Sequence, residues 1–462
     1  MKRSAQIIAV AIALLISGCG REEEDRGPRL QGAAAGWNLV LISVDTVRAD
    51  RLGAYGYTDR PSSPNIDSLL ASGVSFQRAM APRALTWPSM ASVLTGLYPT
   101  GHGLIANGYE FADATITLPK ILGAAGYQTG AVLSNMCQAN HQGWESFKCT
   151  GGNDTRVNRV AKQWIDGIEG DRPFFLWAHY FGAHAPYYNG GIVARRVLDR
   201  YYEGPIAAKK NRLNRVMREG IELSEGDLAQ LDAVYDAAVM GTDQFVGTLL
   251  DHLREAGRLE NTLIVFVADH GEDLYQHNGY LYHACSVYQS SLHVPLGFVA
   301  PGLISAGARV PQTVELIDVM PTMLELLGLA ADDDIHGSSL LAHLERPESG
   351  GEGKPAFSEY DDTRIHTVQV GDWKLVDNPD AELPVCFAGV PEDFYPIAEV
   401  ELYNLLEDPG ETVNLASGHP DRVLEMRELI RQRFASLPRN IELQEIPEEL
   451  RQELEALGYV AN

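Results

Sequence analysis

The chain alternates short apolar runs with stretches of helical periodicity, and this alternation limits the folds that it can adopt. Apolar residues fill each run almost continuously, which is typical of strands buried on both faces of a parallel sheet. The runs cover residues 38–44, 128–134, 173–180, 262–268 and 293–299. The helical stretches include residues 64–72, 118–125, 228–256 and 319–327. The pattern predicts an α/β fold with a central, mostly parallel sheet flanked by helices.

Residues that can bind a metal or transfer a proton follow three of the predicted strands. Asp45 follows the first strand, His184 lies shortly after the third, and Asp269 and His270 follow the fourth directly. In open α/β sheets, ligands bind at the carboxyl ends of the strands. Two carboxylates and an imidazole suit a divalent cation, and the imidazole favours Zn or Mn over Ca. The sequence therefore predicts a metal site at this edge of the sheet.

Thr86 begins a segment with the signals of a short helix. Pro88 suits the first turn of a helix, and Gly96 suits its end. A helix N-terminus presents backbone N–H groups and can bind an anion. From these residues alone, the simpler interpretation is that Thr86 only caps the helix. A metal bound nearby would make its hydroxyl a candidate nucleophile, because a threonine hydroxyl needs such activation.

Several motifs occur in an order that resembles the sulfatase family of the alkaline phosphatase superfamily. They lie at residues 38–57, 63–73, 86–99, 126–129, 269–272, 371–375 and 401–415. The resemblance covers nearly the whole chain after residue 36. It implies an alkaline-phosphatase-like fold and the metal-dependent hydrolysis of sulfate or phosphate esters.

The resemblance also implies which residues hold the metal. Asp45, Asp269 and His270 would bind one divalent ion, either Zn, Mn or Ca, and the Thr86 hydroxyl would touch it from the nucleophile position. Many members of the family carry a second acid after the first one. Thr46 occupies that position here, which removes one ligand and one negative charge.

The substrate side of the site is implied in the same way. His184 matches a histidine that contacts the bound ester. His283 matches the lysine or histidine near the leaving group, and it is a candidate general acid with a side-chain pKa suited to neutral pH. Asn107 matches a substrate-side asparagine of phosphonate and phosphodiester hydrolases. We interpret His102 and His277 as surface histidines outside the site.

Three departures from the family pattern bear on the chemistry. Sulfatases carry Cys or Ser in a Cys/Ser-x-Pro-x-Arg motif, and that residue is oxidised to formylglycine. Thr86 cannot form this aldehyde, so we expect no formylglycine. The arginine position holds Met90, and the family's Lys-x-His pair falls on Ser134 and Met136. Because one lost oxyanion donor can cost about 2.7–4 kcal/mol, a dedicated sulfatase is disfavoured.

The chemistry of threonine suggests a phosphate ester as the substrate. Thr86 would be left esterified after its attack, and a second displacement would have to release it, which suits phosphoryl transfer. We therefore expect hydrolysis of a phosphodiester or phosphonate ester, with a sulfate ester as the other possibility. A phosphoryl transferase to an alcohol acceptor and an inactive sulfatase-like binding protein remain alternatives. The substrate would be an ester of a small molecule, a glycan or a lipid head group.

The N-terminus resembles a bacterial lipoprotein signal peptide. Lys2 and Arg3 precede a mostly apolar run over residues 7–16, which small residues connect to Cys19. We expect residues 1–19 to be this signal, with the protein exported and anchored through a lipidated Cys19 on the periplasmic side of the outer membrane. An uncleaved membrane anchor is the alternative. Residues 20–36 are charged and then rich in Gly and Ala, which is typical of a tether.

The remaining expectations concern domains and charge. Residues 37–346 would form the catalytic domain, and residues 355–462 a smaller C-terminal α+β subdomain. The net charge of −25 argues against a nucleic-acid partner, and we expect no Lys/Arg cluster to offset this acidity. Export would allow oxidation of the four downstream cysteines, which are Cys137, Cys149, Cys285 and Cys386. The sequence determines neither the pairing of these cysteines nor the oligomeric state of the protein.

Overall fold

The computed structural model describes residues 30–136, 141–187, 191–206, 210–349, 353–360, 365–381, 396–435 and 437. The predicted signal peptide with Cys19, most of the tether, and the tail of the C-terminal subdomain lie outside these residues. Cys149 and Cys285 are within the described residues, and both are disulfide-bonded, in agreement with the expected oxidation. No helix in the described part of the chain has the length and apolar content that a membrane span requires.

The strands divide into a central sheet, a C-terminal sheet and one short hairpin. They are β1 (Asn38–Val44), β2 (Val74–Met80), β3 (Gln128–Leu133), β4 (Ser146–Cys149), β5 (Phe174–Tyr180), β6 (Thr262–Ala268), β7 (Asp273–Leu274), β8 (Leu281–Tyr282), β9 (His293–Val299), β10 (Ala308–Glu315), β11 (Ala356–Tyr360), β12 (Ile365–Val370), β13 (Trp373–Asp377) and β14 (Val400–Asn404). The central sheet has the strand order β10-β2-β9-β6-β1-β5-β3-β4.

The α-helices connect these strands. They are α1 (Pro64–Ala71), α2 (Thr86–Thr95), α3 (Pro99–His102), α4 (Leu118–Ala124), α5 (Asp154–Asp166), α6 (Gly191–Val197), α7 (Lys210–Arg218), α8 (Glu225–Glu255), α9 (Gln289–Leu292), α10 (Val319–Leu326), α11 (Leu341–Glu345) and α12 (Pro420–Ala435). The longest, α8, starts with a capping box in which Ser224 and Asp227 satisfy each other's backbone N–H groups.

The predicted α/β architecture is confirmed, with one correction of strand direction. Neighbouring strands of the central sheet pair in parallel, except that β9 runs antiparallel to β2 and β6. The apolar run at 293–299 is a buried strand, but the expectation that it is parallel is wrong. The chain between β6 and β9 contains the β7–β8 hairpin and the short α9, and it stays at the carboxyl edge of β6. A parallel β9 would need a long crossover that returns the chain to the amino-terminal edge of the sheet. Because this connection has no such crossover, β9 runs antiparallel to β6.

A separate antiparallel sheet forms the C-terminal part of the structure. Its strand order is β11-β12-β13-β14, and α12 packs on it through Met426 and Ile430, against Val368 and Leu375. The short alternating runs predicted an antiparallel α+β unit here, and this is confirmed. The sheet is tied to the central domain, because the Glu359 backbone N–H donates to the Pro82 carbonyl at 2.8 Å.

Candidate active site

The carboxyl ends of β1 and β6 bring three predicted metal ligands together. The two strands are adjacent and parallel, with Val44 opposite Ala268. The residues that follow them, Asp45 and Asp269, therefore lie side by side, and His270 follows Asp269. One possible ligand atom from each of the three residues lies within 4.8 Å of the others. The predicted proximity of these three residues is what the structure shows.

The donor atoms of this cluster are oriented as a cation site would require. His270 Nδ1 lies 2.9 Å from the Gly271 carbonyl, so Nδ1 carries the hydrogen and Nε2 presents a lone pair. Nε2 lies 3.8 Å from Asp45 Oδ1 and 3.5 Å from Asp269 Oδ2. No described residue forms a hydrogen bond with either of these oxygens, although both carboxylates are fully buried. The donor set therefore fits one divalent cation.

The other oxygen of each carboxylate is held by the protein. Asn135 Nδ2 donates to Asp45 Oδ2 at 2.8 Å. The backbone N–H groups of Thr46 and His270 donate to Asp269 Oδ1 at 3.1 and 2.7 Å. These bonds fix the rotation of both carboxylates, so their second oxygens point at the shared position.

Burial makes this cluster unfavourable without a cation. Burial and the neighbouring Asp269 raise the pKa of Asp45 well above its ordinary value. Burial likewise raises the pKa of Asp269, against the opposing effect of His270. A divalent cation would stabilise both groups in their ionised form.

Thr46 contributes to the cluster through its backbone. It has a positive φ of 57°, and its carbonyl accepts a hydrogen bond from the Tyr235 hydroxyl at 2.7 Å. Its N–H is thereby aimed at Asp269. Its own hydroxyl is buried and has no hydrogen-bond partner among the described residues.

Thr86 is the first residue of α2, and its hydroxyl faces the cluster. Its Oγ1 lies 3.4 Å from His270 Nε2, and the residue is fully buried. The capping position belongs to Leu85, so the simpler interpretation of Thr86 as only a helix cap is wrong. Asn107 has taken that role, because its Oδ1 accepts the Trp87 N–H at 2.9 Å. Since Pro88 has no N–H, the helix start offers fewer free donors than predicted.

The two predicted substrate-side histidines lie next to the cluster. The ring of His283 is 4.3 Å from that of His270 and 5.1 Å from that of His184, centroid to centroid. Burial, together with these two histidines, lowers the pKa of His283 well below its ordinary value. This environment favours the neutral form of His283, which differs from the expectation of a pKa suited to neutral pH.

Asn107 and His102 are buried and His277 is partly buried, and all three side chains have protein partners. Asn107 is 5% exposed and supports the start of α2, so contact with a substrate stays a prediction. His102 Nε2 is 3.0 Å from the Ser92 hydroxyl, and burial lowers the pKa of His102 to about 3. His277 Nδ1 lies 3.0 Å from Asp273. His102 and His277 thus have structural partners, but they are not surface residues as expected.

Sequence reasoning missed three residues of the site. Asn135 follows β3 and holds Asp45. The His179 Nε2 atom is 3.9 Å from Asp45 Oδ2, and the Ser43 hydroxyl lies 2.7 Å from its Nδ1. Glu272 Oε2 lies 3.4 Å from His283 Nδ1. Position just after a strand was a usable signal for Asn135, whereas His179 looks like an ordinary strand residue.

The departures from the family pattern remain visible in the structure. Met90 is fully buried in the hydrophobic core, and Met136 packs against the same core. The Ser134 hydroxyl is buried without a hydrogen-bond partner among the described residues. These side chains supply no positive charge for an oxyanion.

Comparisons with known proteins agree with this geometry. A family model described as Sulfatase matches residues 37–329. Arylsulfatase K of Danio rerio is 30% identical over 215 residues, which cover 45% of this chain and 38% of that protein. The multifunctional alkaline phosphatase superfamily protein PehA of Trinickia caryophylli is 25% identical over 411 residues, covering 69% of this chain and 78% of PehA.

Solved structures share the fold. The phosphonate monoester hydrolase of Agrobacterium radiobacter superposes with a TM-score of 0.67 at 21% identity, over 87% of this chain and 96% of that one. A protein in complex with its substrate D-glucosamine-2-N,6-O-disulfate gives a TM-score of 0.69 at 22% identity, over 88% and 100%. The matched region includes all three residues of the candidate metal site, together with Thr86 and the histidines around it. The chain therefore belongs to the sulfatase family of ester hydrolases.

Proposed function

We propose that the protein hydrolyses a phosphodiester or phosphonate ester in two steps, with the Thr86 hydroxyl as the nucleophile. One divalent metal ion, Zn or Mn in preference to Ca, would be held by Asp45, Asp269 and His270. The observation that carries this proposal is the position of Thr86 Oγ1, 3.4 Å from His270 Nε2. The same cluster contains two carboxylate oxygens, of Asp45 and Asp269, without hydrogen bonds from described residues.

When bound, such an ion lowers the pKa of a hydroxyl that it touches and polarises an ester oxygen. The Thr86 hydroxyl gives its proton to water as its oxygen attacks the phosphorus atom, and the bond to the leaving alcohol breaks. Water then displaces the Thr86 oxygen and releases the product. The rigid start of α2, held through Asn107, keeps the hydroxyl in place.

His283 and Glu272 are arranged to supply the proton of the leaving group. Burial raises the pKa of Glu272 well above its ordinary value, which favours the protonated form of this carboxyl. His283 Nδ1 is 3.4 Å away. Glu272 would pass its proton to Nδ1, while His283 donates from Nε2 to the departing oxygen. His184 would contact the bound ester from the other side of His283.

Two arguments favour a phosphoryl ester over a sulfate ester. Met90, Ser134 and Met136 provide no cationic side chain where sulfatases place three, and Thr86 cannot release a sulfate by the formylglycine route. Relatives of both kinds exist, since the matched structures include a phosphonate monoester hydrolase and a protein bound to a sulfated sugar. Sulfate hydrolysis is therefore the second outcome to test.

Export and lipid anchoring are part of the same proposal. The support comes from the sequence of residues 1–19, which places Cys19 after an apolar run. Disulfide bonds at Cys149 and Cys285 suit an oxidising compartment such as the periplasm.

The test compares the wild-type protein with Thr86→Ala and Thr86→Ser on aryl phosphodiesters, phosphonate monoesters and aryl sulfates, with Mn²⁺ or Zn²⁺. We expect Thr86→Ala to lower kcat by at least about a thousandfold. Thr86→Ser keeps a hydroxyl and should retain measurable turnover. Full activity of Thr86→Ala would exclude Thr86 as the nucleophile. Turnover of sulfate esters alone would contradict the phosphoryl preference. Absence of bound metal and of any turnover would favour the binding-protein alternative.

A further inference from the structure

One segment of this acidic protein is strongly basic, contrary to the expectation that no basic cluster offsets its charge. Residues 191–220 contain eight Lys or Arg and three Asp or Glu, a local net charge of +5 in a chain of net −25. Six arginines in its described part, here called the arginine rim, are exposed: Arg195, Arg196, Arg200, Arg212, Arg215 and Arg218.

The basic segment lies on the side of the sheet that carries the site. It begins after β5, whose carboxyl end leads to His184, and it ends before α8. The other end of α8 leads into the start of β6, so the start of α8 also lies on the site's side. Contacts agree with this placement, because Tyr202 donates to Asp227 in the first turn of α8 at 2.5 Å.

Helix α7 packs directly against the loop that carries His283. The Tyr282 hydroxyl, one residue before His283, donates to Asn214 of α7. Leu213, Val216 and Met217 bury the same face of α7. Residues 212, 215 and 218 recur every three positions, so the arginines form a stripe on the opposite, exposed face.

Part of the rim is not neutralised by ion pairs. Arg195, Arg196 and Arg212 form no ion pair with a described residue. Arg215 pairs with Glu219 at 2.8 Å, but both side chains are more than half exposed. Water and salt weaken such a pair, so Arg215 still contributes to the positive potential.

We propose that the arginine rim binds anionic groups that flank the ester being cleaved, so that the substrate is a polyanionic chain carrying several sulfate or phosphate groups. This inference rests on the proposed function for the identity of the cleaved bond. An anionic substrate is repelled by the surface of a chain with net charge −25, and the residues at positions 90, 134 and 136 add no cation that would offset this repulsion. A basic rim beside the site attracts an anionic chain and raises its local concentration.

The test measures binding of fluorescently labelled dextran sulfate by fluorescence anisotropy. Two double variants, Arg195→Gln/Arg196→Gln and Arg212→Gln/Arg215→Gln, each remove two charges from the rim. The control, Arg254→Gln/Arg258→Gln, removes two charges near the end of α8, on the opposite side of the sheet. Circular dichroism melting curves check that all variants are folded.

Each rim variant should weaken dextran sulfate binding about tenfold at about 0.01 M salt, and the difference should nearly vanish at about 1 M salt. The control should change the Kd less than about twofold. Equal losses in control and rim variants would overturn the proposal, as would unchanged binding in the rim variants. The same variants are tested for binding to phosphatidylglycerol vesicles. Rim variants that lose vesicle binding but bind dextran sulfate as the wild type does would also overturn the proposal, and would make the rim a membrane contact.

The binding assay is independent of turnover. The two proposals can fail separately, because a wild-type protein that turns over no phosphate ester but still needs the rim to bind dextran sulfate contradicts only the proposed hydrolysis. Conversely, normal ester turnover with rim-independent binding contradicts only the inference drawn from the arginines.

Discussion

Asp45 and Asp269 show how backbone and side-chain donors prepare a metal site. One oxygen of each carboxylate is held by Asn135 or by backbone N–H groups. The other oxygen faces His270 without a hydrogen bond from a described residue. Two buried carboxylates with oxygens within 4.8 Å of each other repel unless a cation lies between them. This arrangement therefore lowers the stability of the protein without a cation, and a cation bound between the two carboxylates would restore that stability.

This repulsion gives a pH dependence with a definite sign. In the metal-free protein, the raised pKa values of Asp45 and Asp269 mean that the folded state holds protons that the unfolded state has released. Stability should therefore fall as the pH rises from the ordinary carboxyl pKa of 3.8 toward the raised values. Asp45→Asn removes one of the two charges. Without metal at about pH 8, the free energy of unfolding of this variant should therefore exceed that of the wild type by about 1 kcal/mol or more.

Thermal unfolding with EDTA and with Mn²⁺, at about pH 5 and about pH 8, measures this effect. The gap between metal-bound and metal-free wild type should widen at the higher pH. Asp251→Asn is the matched control. Asp251 forms an exposed ion pair with Arg254, so this substitution should change the free energy of unfolding by less than about 1 kcal/mol. A metal-free Asp45→Asn protein that is less stable than wild type at the higher pH would contradict the repulsion.

The C-terminal sheet holds the loop that carries Glu272 and His283. Lys374 of β13 is fully buried and pairs with Glu411 at 2.6 Å. The other oxygen of Glu411 accepts the Gln289 N–H at the start of α9. Tyr288, beside it, donates to Glu401 at 3.0 Å. This explains why the motifs at 371–375 and 401–415 occur far from the site in sequence: they position its loop.

Removing one partner of the Lys374–Glu411 pair should have a large effect. Lys374→Met leaves a buried carboxylate without its cation, and we expect a loss of about 3–5 kcal/mol in the free energy of unfolding. The double variant Lys374→Met/Glu411→Gln should recover part of that loss. Urea denaturation measures both.

The ion pair of Arg427 and Asp377 in the same subdomain, which is partly exposed to solvent, is the control. Arg427→Met should cost about 1 kcal/mol or less. If Lys374→Met cost no more than Arg427→Met, the buried pair would not be what holds the loop. A fall in kcat after Lys374→Met in protein that is still folded would link this pair to the position of His283.

At the scale of the whole molecule, the sequence predicted the parts of the fold that local patterns determine. Five buried strands, four helices and the cluster at Asp45, Asp269 and His270 follow from apolar periodicity and from strand ends. The strand β2 was missed, because Gln77 and Arg78 interrupt its apolar pattern. The direction of β9 was wrong, because strand direction depends on the connection before it and not on the strand's own residues.

Site residues that directly follow a strand could be predicted from the sequence. Site residues whose position or pKa depends on tertiary packing were harder to predict. Asn107 acts on the helix of Thr86 across a turn that no local pattern indicates. The lowered pKa of His283 results from burial beside two other histidines, which sequence spacing does not show. The arginine rim was overlooked because its charges recur at helical spacing in place of a continuous run.

The mass of the Thr86-containing peptide, after rapid acid quenching during turnover, tests directly whether Thr86 is the nucleophile. With a phenylphosphonate monoester as substrate, we expect a phenylphosphonyl adduct on Thr86, because the first displacement leaves this residue esterified. The peptide from Thr86→Ala should carry no adduct. Steady turnover of the ester by the wild-type protein, with the adduct on another residue, would show that Thr86 is not the nucleophile.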